Sequence, residues 1–94
     1  MYRYYSLFIL VFFLSLSCFA QNDNAKALEY YTAGMENYNA TNYEMAIADF
    51  SKAIDENQNF VEAYFQRGCA KHYSDKYKSA VDDFSSAIEL RPNS

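Results

Sequence analysis

A chain of 94 residues has room for one domain, and half of it is apolar. The formal net charge is -4, with the basic residues spread along the chain rather than clustered, so the electrostatic footprint of a nucleic-acid binder is missing. Two glycines in the whole sequence exclude a phosphate-binding loop, and one histidine with two cysteines excludes ordinary zinc spacing.

Residues 1–20 differ sharply from the rest. Arg3 is their only charge, residues 7–16 are apolar except for Ser15, and Ser17, Cys18, Phe19 and Ala20 close the segment. This is the pattern of a secretory signal peptide cut after Ala20, because the apolar run would span only about 15 Å as a helix, half the hydrocarbon thickness of a bilayer. Two lesser alternatives are an uncleaved anchor and a lipoprotein acylated at Cys18. Against the second, Ser15 stands where such signals carry leucine. The expected address is therefore periplasmic or secreted. Of the eight basic residues Arg3 leaves with the leader, so the mature chain is more acidic still and is repelled by nucleic acid and anionic lipid. Cys69 is then the sole cysteine, which rules out an internal disulfide.

Residues 21–26 read as a polar linker. From Ala25 the pattern turns helical, with Leu28, Tyr31, Met35 and Tyr38 recurring every three or four positions until about Ala40. Thr41 and Glu44 have the spacing of a capping box for a second helix from Tyr43 to Glu56, which buries Ile47, Phe50 and Ile54 on one stripe. The run Asn57, Gln58, Asn59 breaks it. A third helix follows from Val61 to Tyr73, and a fourth from Lys76 to Leu90 with Asp75 as its expected cap. Four helices joined by turns of a few residues must lie as antiparallel neighbours, making two helical hairpins.

The hairpins are copies of each other. A shift of 34 residues carries Tyr30, Gly34, Tyr43, Ala46, Asp49, Phe50, Ala53 and Ile54 onto Tyr64, Gly68, Tyr77, Ala80, Asp83, Phe84, Ala87 and Ile88. Periods of this length mean stacked units, and the coincident residues are mainly small or aromatic, so the repeated property is packing geometry. Gly34 and Gly68 permit close approach of the first helix of each hairpin to the second, opposite Ala46 and Ala80. Phe50 and Phe84 fill the wedge towards the next hairpin, Ala53 and Ala87 leave room for it, and Tyr43 and Tyr77 close each base.

On these residues the chain resembles the tetratricopeptide repeat (TPR) family, with Tyr30, Ala33, Gly34, Ala46, Phe50 and Ala53 in one unit and Tyr64, Gly68, Ala80, Phe84, Ala87 and Pro92 in the other. The resemblance implies an all-α fold in which two antiparallel hairpins, residues 27–60 and 61–94, stack as a short right-handed solenoid. Departures are Gln58 at the closing proline of the first unit, Arg67 in place of a leucine, and Asn37 and Lys71 in place of an aromatic. The resemblance also implies a non-enzymatic module that binds another protein or peptide, with no cofactor, metal or small-molecule substrate.

In that family the first helix of each hairpin lines the inner surface, which maps here to Leu28, Tyr31, Met35, Tyr38 and Asn39 and to Glu62, Phe65, Cys69, His72 and Tyr73. Two readings of this surface stand side by side: an aromatic groove for a partner peptide, or packing of these side chains against each other. Lysine, arginine and asparagine grip the acidic C-terminus of chaperones in some family members, whereas Leu28, Tyr31, Thr32, Met35, Glu62 and Gln66 occupy those places here, so an apolar or aromatic ligand fits better. His72 reads as a solvated groove residue, and Asp82, Asp83 and Glu89 as a solvated face. The tripeptide Asn39, Ala40, Thr41 matches a glycosylation acceptor, of meaning only in a eukaryotic secretory route.

Two repeats are fewer than the three or so that a stack usually needs, so a marginal domain is expected. Val81, Phe84, Ala87 and Ile88 keep an apolar outer side with no third hairpin after them, which points to a cover from another protein, a second copy, or further sequence. An exported adaptor is the first expectation for function, and a self-associating structural protein the second.

Overall fold

The structure is a computed structural model and describes residues 22–91. Its elements are four α-helices, α1 (Asn22–Asn39), α2 (Tyr43–Glu56), α3 (Val61–Tyr73) and α4 (Tyr77–Leu90), with no strand among the described residues. The expected leader at residues 1–20 lies outside them. Helix α1 starts three residues earlier than the periodicity suggested, taking in most of the expected linker. Each helix packs on its neighbour in sequence, and α1 also touches α3, so the two hairpins stack in order.

Both expected helix caps are overturned. Thr41 and Asp75 have φ of 63°, the left-handed region, and neither α2 nor α4 has a side-chain cap. The two residues instead end the preceding helix. Asn42 N–H donates to Asn37 O at 2.8 Å and Thr41 N–H to Tyr38 O at 3.0 Å, and the same pair of bonds runs from Lys76 to Lys71 (2.8 Å) and from Asp75 to His72 (3.2 Å). This is the Schellman closure, which satisfies the last carbonyls of the helix and needs a residue of positive φ just beyond it. The threonine and aspartate were legible as helix boundaries but belong to the other side of the turn.

Packing follows the duplicated residues. Phe50 is the largest fully buried side chain, grouped with Ala46 and Ala70 and flanked by Tyr31, Met35, Tyr38, Tyr43 and Ile47. A second cluster joins Ala53 and Ile54 of α2 to Ala63 of α3, edged by Tyr30, Tyr31, Phe60 and Tyr64. Both clusters therefore lie where the first hairpin meets α3, which is where the alanines allow close approach. Each glycine faces a phenylalanine ring rather than the expected alanine: a Cβ on Gly34 would stand 2.6 Å from Phe50, and one on Gly68 2.7 Å from Phe84.

Equal crowding has unequal consequences, because the Phe50 ring is enclosed whereas Phe84 is only half-buried and can swing aside. Overpacking typically costs about 1–3 kcal/mol and alanine recovers about 1 kcal/mol of helix propensity over glycine. Gly34→Ala is expected to lower unfolding free energy by about 1–2 kcal/mol and Gly68→Ala to change it by under about 0.5 kcal/mol. Urea titrations of the two variants check this, and equal losses would contradict it.

The turn between repeats lacks the closing proline and is held by hydrogen bonds instead. Asn59 N–H donates to Asn57 Oδ1 at 3.0 Å, Phe60 N–H to Asn57 O at 3.1 Å, and the Tyr64 hydroxyl to Gln58 O at 3.0 Å. The positions that depart from the family's aromatic carry a polar tether in both units. Asn37 Nδ2 donates to Asp49 Oδ2 at 2.7 Å, and 34 residues on Lys71 Nζ lies 2.8 Å from Asp83 Oδ2.

Asp83 corrects a second expectation. It is no part of a solvated face but is 3 % exposed, whereas Asp82 and Glu89 are exposed. Arg67 grips it with two bonds, Nη2 to Oδ1 at 2.7 Å and Nε to Oδ2 at 2.9 Å, while Arg67 Nη1 donates to Ser51 Oγ at 3.1 Å. The arginine in the leucine position thus ties α2, α3 and α4 together.

Candidate partner-binding surface

The two ends of the stack differ, and the difference lies in equivalent residues. Ile54 is 7 % exposed beneath α3, whereas Ile88, its counterpart one repeat later, is 67 % exposed. Val81 is exposed where Ile47 is half-buried, and Phe65 is 50 % exposed where Tyr31 is half-buried. Between α3 and α4 this leaves a cavity of about 360 Å³ lined by Val61, Glu62, Phe65, Gln66, Phe84, Ala87, Ile88 and Arg91. Its floor is apolar. At its rim Arg91 Nη2 lies 2.7 Å from Glu62 Oε1, and the hydrogen bond from Arg91 holds the Glu62 carboxyl below the usual carboxylate range.

The opposite end differs in carrying two exposed carboxylates, Glu29 and Glu36, beside its apolar residues. The hollow on the outer side of α1 is lined by Ala25, Leu28, Glu29, Thr32, Ala33 and Glu36.

Of the ten residues expected on the inner surface, seven fall into three groups and three stand apart. Tyr31, Met35 and Tyr38 are half-buried in the core; the Tyr31 ring packs against Phe50 at 5.6 Å and Phe60 at 5.0 Å. Burial raises the pKa of the Tyr31 hydroxyl, with Glu62 adding to the rise. Tyr38 is raised in the same way, chiefly by burial, with Cys69, Tyr73 and Tyr43 close enough to contribute. Glu62 and Phe65 form part of the end cavity, the Phe65 ring standing 5.6 Å from Phe84. Tyr73 and His72 belong to an aromatic cluster at the turns: Tyr73 stacks on Tyr43 at 5.2 Å, and the His72 ring meets Tyr73 and Tyr77 edge-on at 5.4 Å each. Leu28 and Asn39 are exposed on α1, and Cys69 is half-buried with its thiol pKa pushed up by that burial.

No single groove gathers all ten. The end cavity brings two of them together with Phe84, Ala87 and Ile88, whose outward apolar sides were legible, and with Arg91, which was not. The signal for Arg91 was its opposite charge to Glu62 across the ends of the hairpin. Among the described residues no three His, Cys, Asp or Glu side chains stand where they could hold a metal ion. None of the four helices is long and apolar enough to cross a membrane.

The glycine-to-phenylalanine contact, repeated at a 34-residue interval in both hairpins, has its counterpart in comparison with known families: the tetratricopeptide repeat pattern matches residues 30–60 and 61–94. The chain belongs to the tetratricopeptide repeat family. A search of curated proteins finds no match to it. Proteins of this family are in general non-catalytic scaffolds that bind other proteins or peptides, and the TPR domain here carries the two-helix units on which that use depends.

Proposed function

We propose that this TPR chain is an exported, non-catalytic adaptor that captures a helix or peptide of another protein in the apolar cavity at the C-terminal end of its stack. The observation that carries this reading is the contrast between Ile54 and Ile88, one repeat apart, the first covered by a helix and the second open to solvent. An open apolar floor rimmed by a salt bridge is the composition of a protein interface, where a few buried anchors supply most of the affinity. The leader-like residues 1–20 support export.

Phe65 is the cleaner test residue, since Tyr31 also supports the core. Phe65→Ala and Ile88→Lys are expected to release the partner that co-purifies with the tagged, exported chain, with helix content unchanged by circular dichroism. A partner retained by both variants would reject the cavity as its site. N-terminal sequencing of the exported product is expected to start at Gln21, and a product starting at Met1 would reject signal cleavage.

A further inference from the structure

The first repeat is a template for what the open cavity receives. Its Ala46, Phe50, Ala53 and Ile54 take up α3, with Phe60 leaning on Tyr31 at 5.0 Å. Ala63 is fully buried among Ala53 and Ile54, and Ala70 among Ala46 and Phe50. The same surface recurs 34 residues later as Ala80, Phe84, Ala87 and Ile88, with Phe65 in the place of Tyr31.

The helix at the other end of this chain has the wrong face to fill it. Where α3 presents Ala63 and Ala70, α1 presents Glu29 and Glu36, and Lys26 replaces Phe60. Head-to-tail stacking of copies would press two carboxylates onto Ala87, Ile88 and Phe84, and carboxylates lose their hydration on such apolar ground without compensation. The stack is therefore directional: closed by charge at α1 and open at α4.

This inference rests on the adaptor reading and narrows it. We propose that the cavity takes one α-helix of a different polypeptide, bearing uncharged small residues seven positions apart and an aromatic residue three positions before the first of them. Positions seven apart are two turns apart on one helix face, the spacing of Ala63 and Ala70, and the preceding aromatic takes the place of Phe60.

The chain supplies its own probe. A labelled peptide of residues 60–74 is titrated into the full chain by fluorescence anisotropy, beside the same peptide with Ala63→Glu and Ala70→Glu, and beside a peptide of residues 26–40. The first is expected to bind, and the other two at least about tenfold more weakly. Ile88→Lys in the full chain, with its helix content verified, should weaken the first peptide by a similar factor. Equal binding of all three peptides overturns the proposal, as does binding that survives Ile88→Lys. A folded chain that ignores every peptide overturns it too, and one that instead dimerises through Ile88 names a second copy as the occupant. The adaptor reading fails by a different result, namely co-purification indifferent to Phe65→Ala and Ile88→Lys.

Discussion

Phe50→Ala is expected to unfold the domain, whereas Phe84→Ala leaves it folded. The two residues occupy the same place in successive repeats and each faces a glycine, yet Phe50 is fully enclosed and Phe84 borders an open cavity. Removing a buried phenylalanine costs about 3–5 kcal/mol, which equals the whole stability expected of a core in a domain below about 70 to 80 residues. Phe84 already faces solvent on one side, so less apolar surface returns to water, and a loss of about 1–2 kcal/mol is expected. Far-UV circular dichroism with thermal melts separates them. A cooperative transition of Phe50→Ala close to the parent's would reject the packing described above.

Asp83→Ala is the second large effect. Among the described residues its carboxylate is the one anion that Arg67 and Lys71 pair with, and their side chains are 19 % and 13 % exposed. Removing one member of such a pair leaves charge stranded and typically costs about 3–5 kcal/mol; the flexible cations can partly reach water, which places this site at the lower end. Asp83→Asn keeps one acceptor oxygen, enough for one of the two Arg67 bonds, and should fall between the alanine variant and the parent. At the equivalent place in the first repeat Asp49 meets only the uncharged Asn37, so Asp49→Ala should cost about 1 kcal/mol. Urea midpoints for the three variants give the comparison, and an Asp83→Ala loss no larger than that of Asp49→Ala would show the ion pairs to be dispensable.

The helices were legible to within a few residues because apolar periodicity and turn residues act locally. The caps were misread for a related reason: Thr41 and Asp75 sit between two helices, and either helix can claim such a residue. Only the backbone conformation assigns them to the helix they end, through bonds that reach back five residues. For the candidate surface, Phe65 and Glu62 were legible in the register of the first helices, but Tyr31 and Met35, in the same register one repeat earlier, are spent on the core.

The 34-residue recurrence of glycine, alanine and phenylalanine determined by itself that two helical hairpins stack, since such residues fit only where helices approach closely. The tertiary structure alone decided which copies of the phenylalanine and isoleucine are covered. Phe50 and Ile54 are buried while Phe84 and Ile88 are not, because α3 lies over the first hairpin and no described element lies over the second. It also decided the fate of Asp83, because charge along the chain does not reveal which cations α3 brings to it. Burial depends on neighbours distant in sequence, and a local pattern carries no record of whether those neighbours arrive.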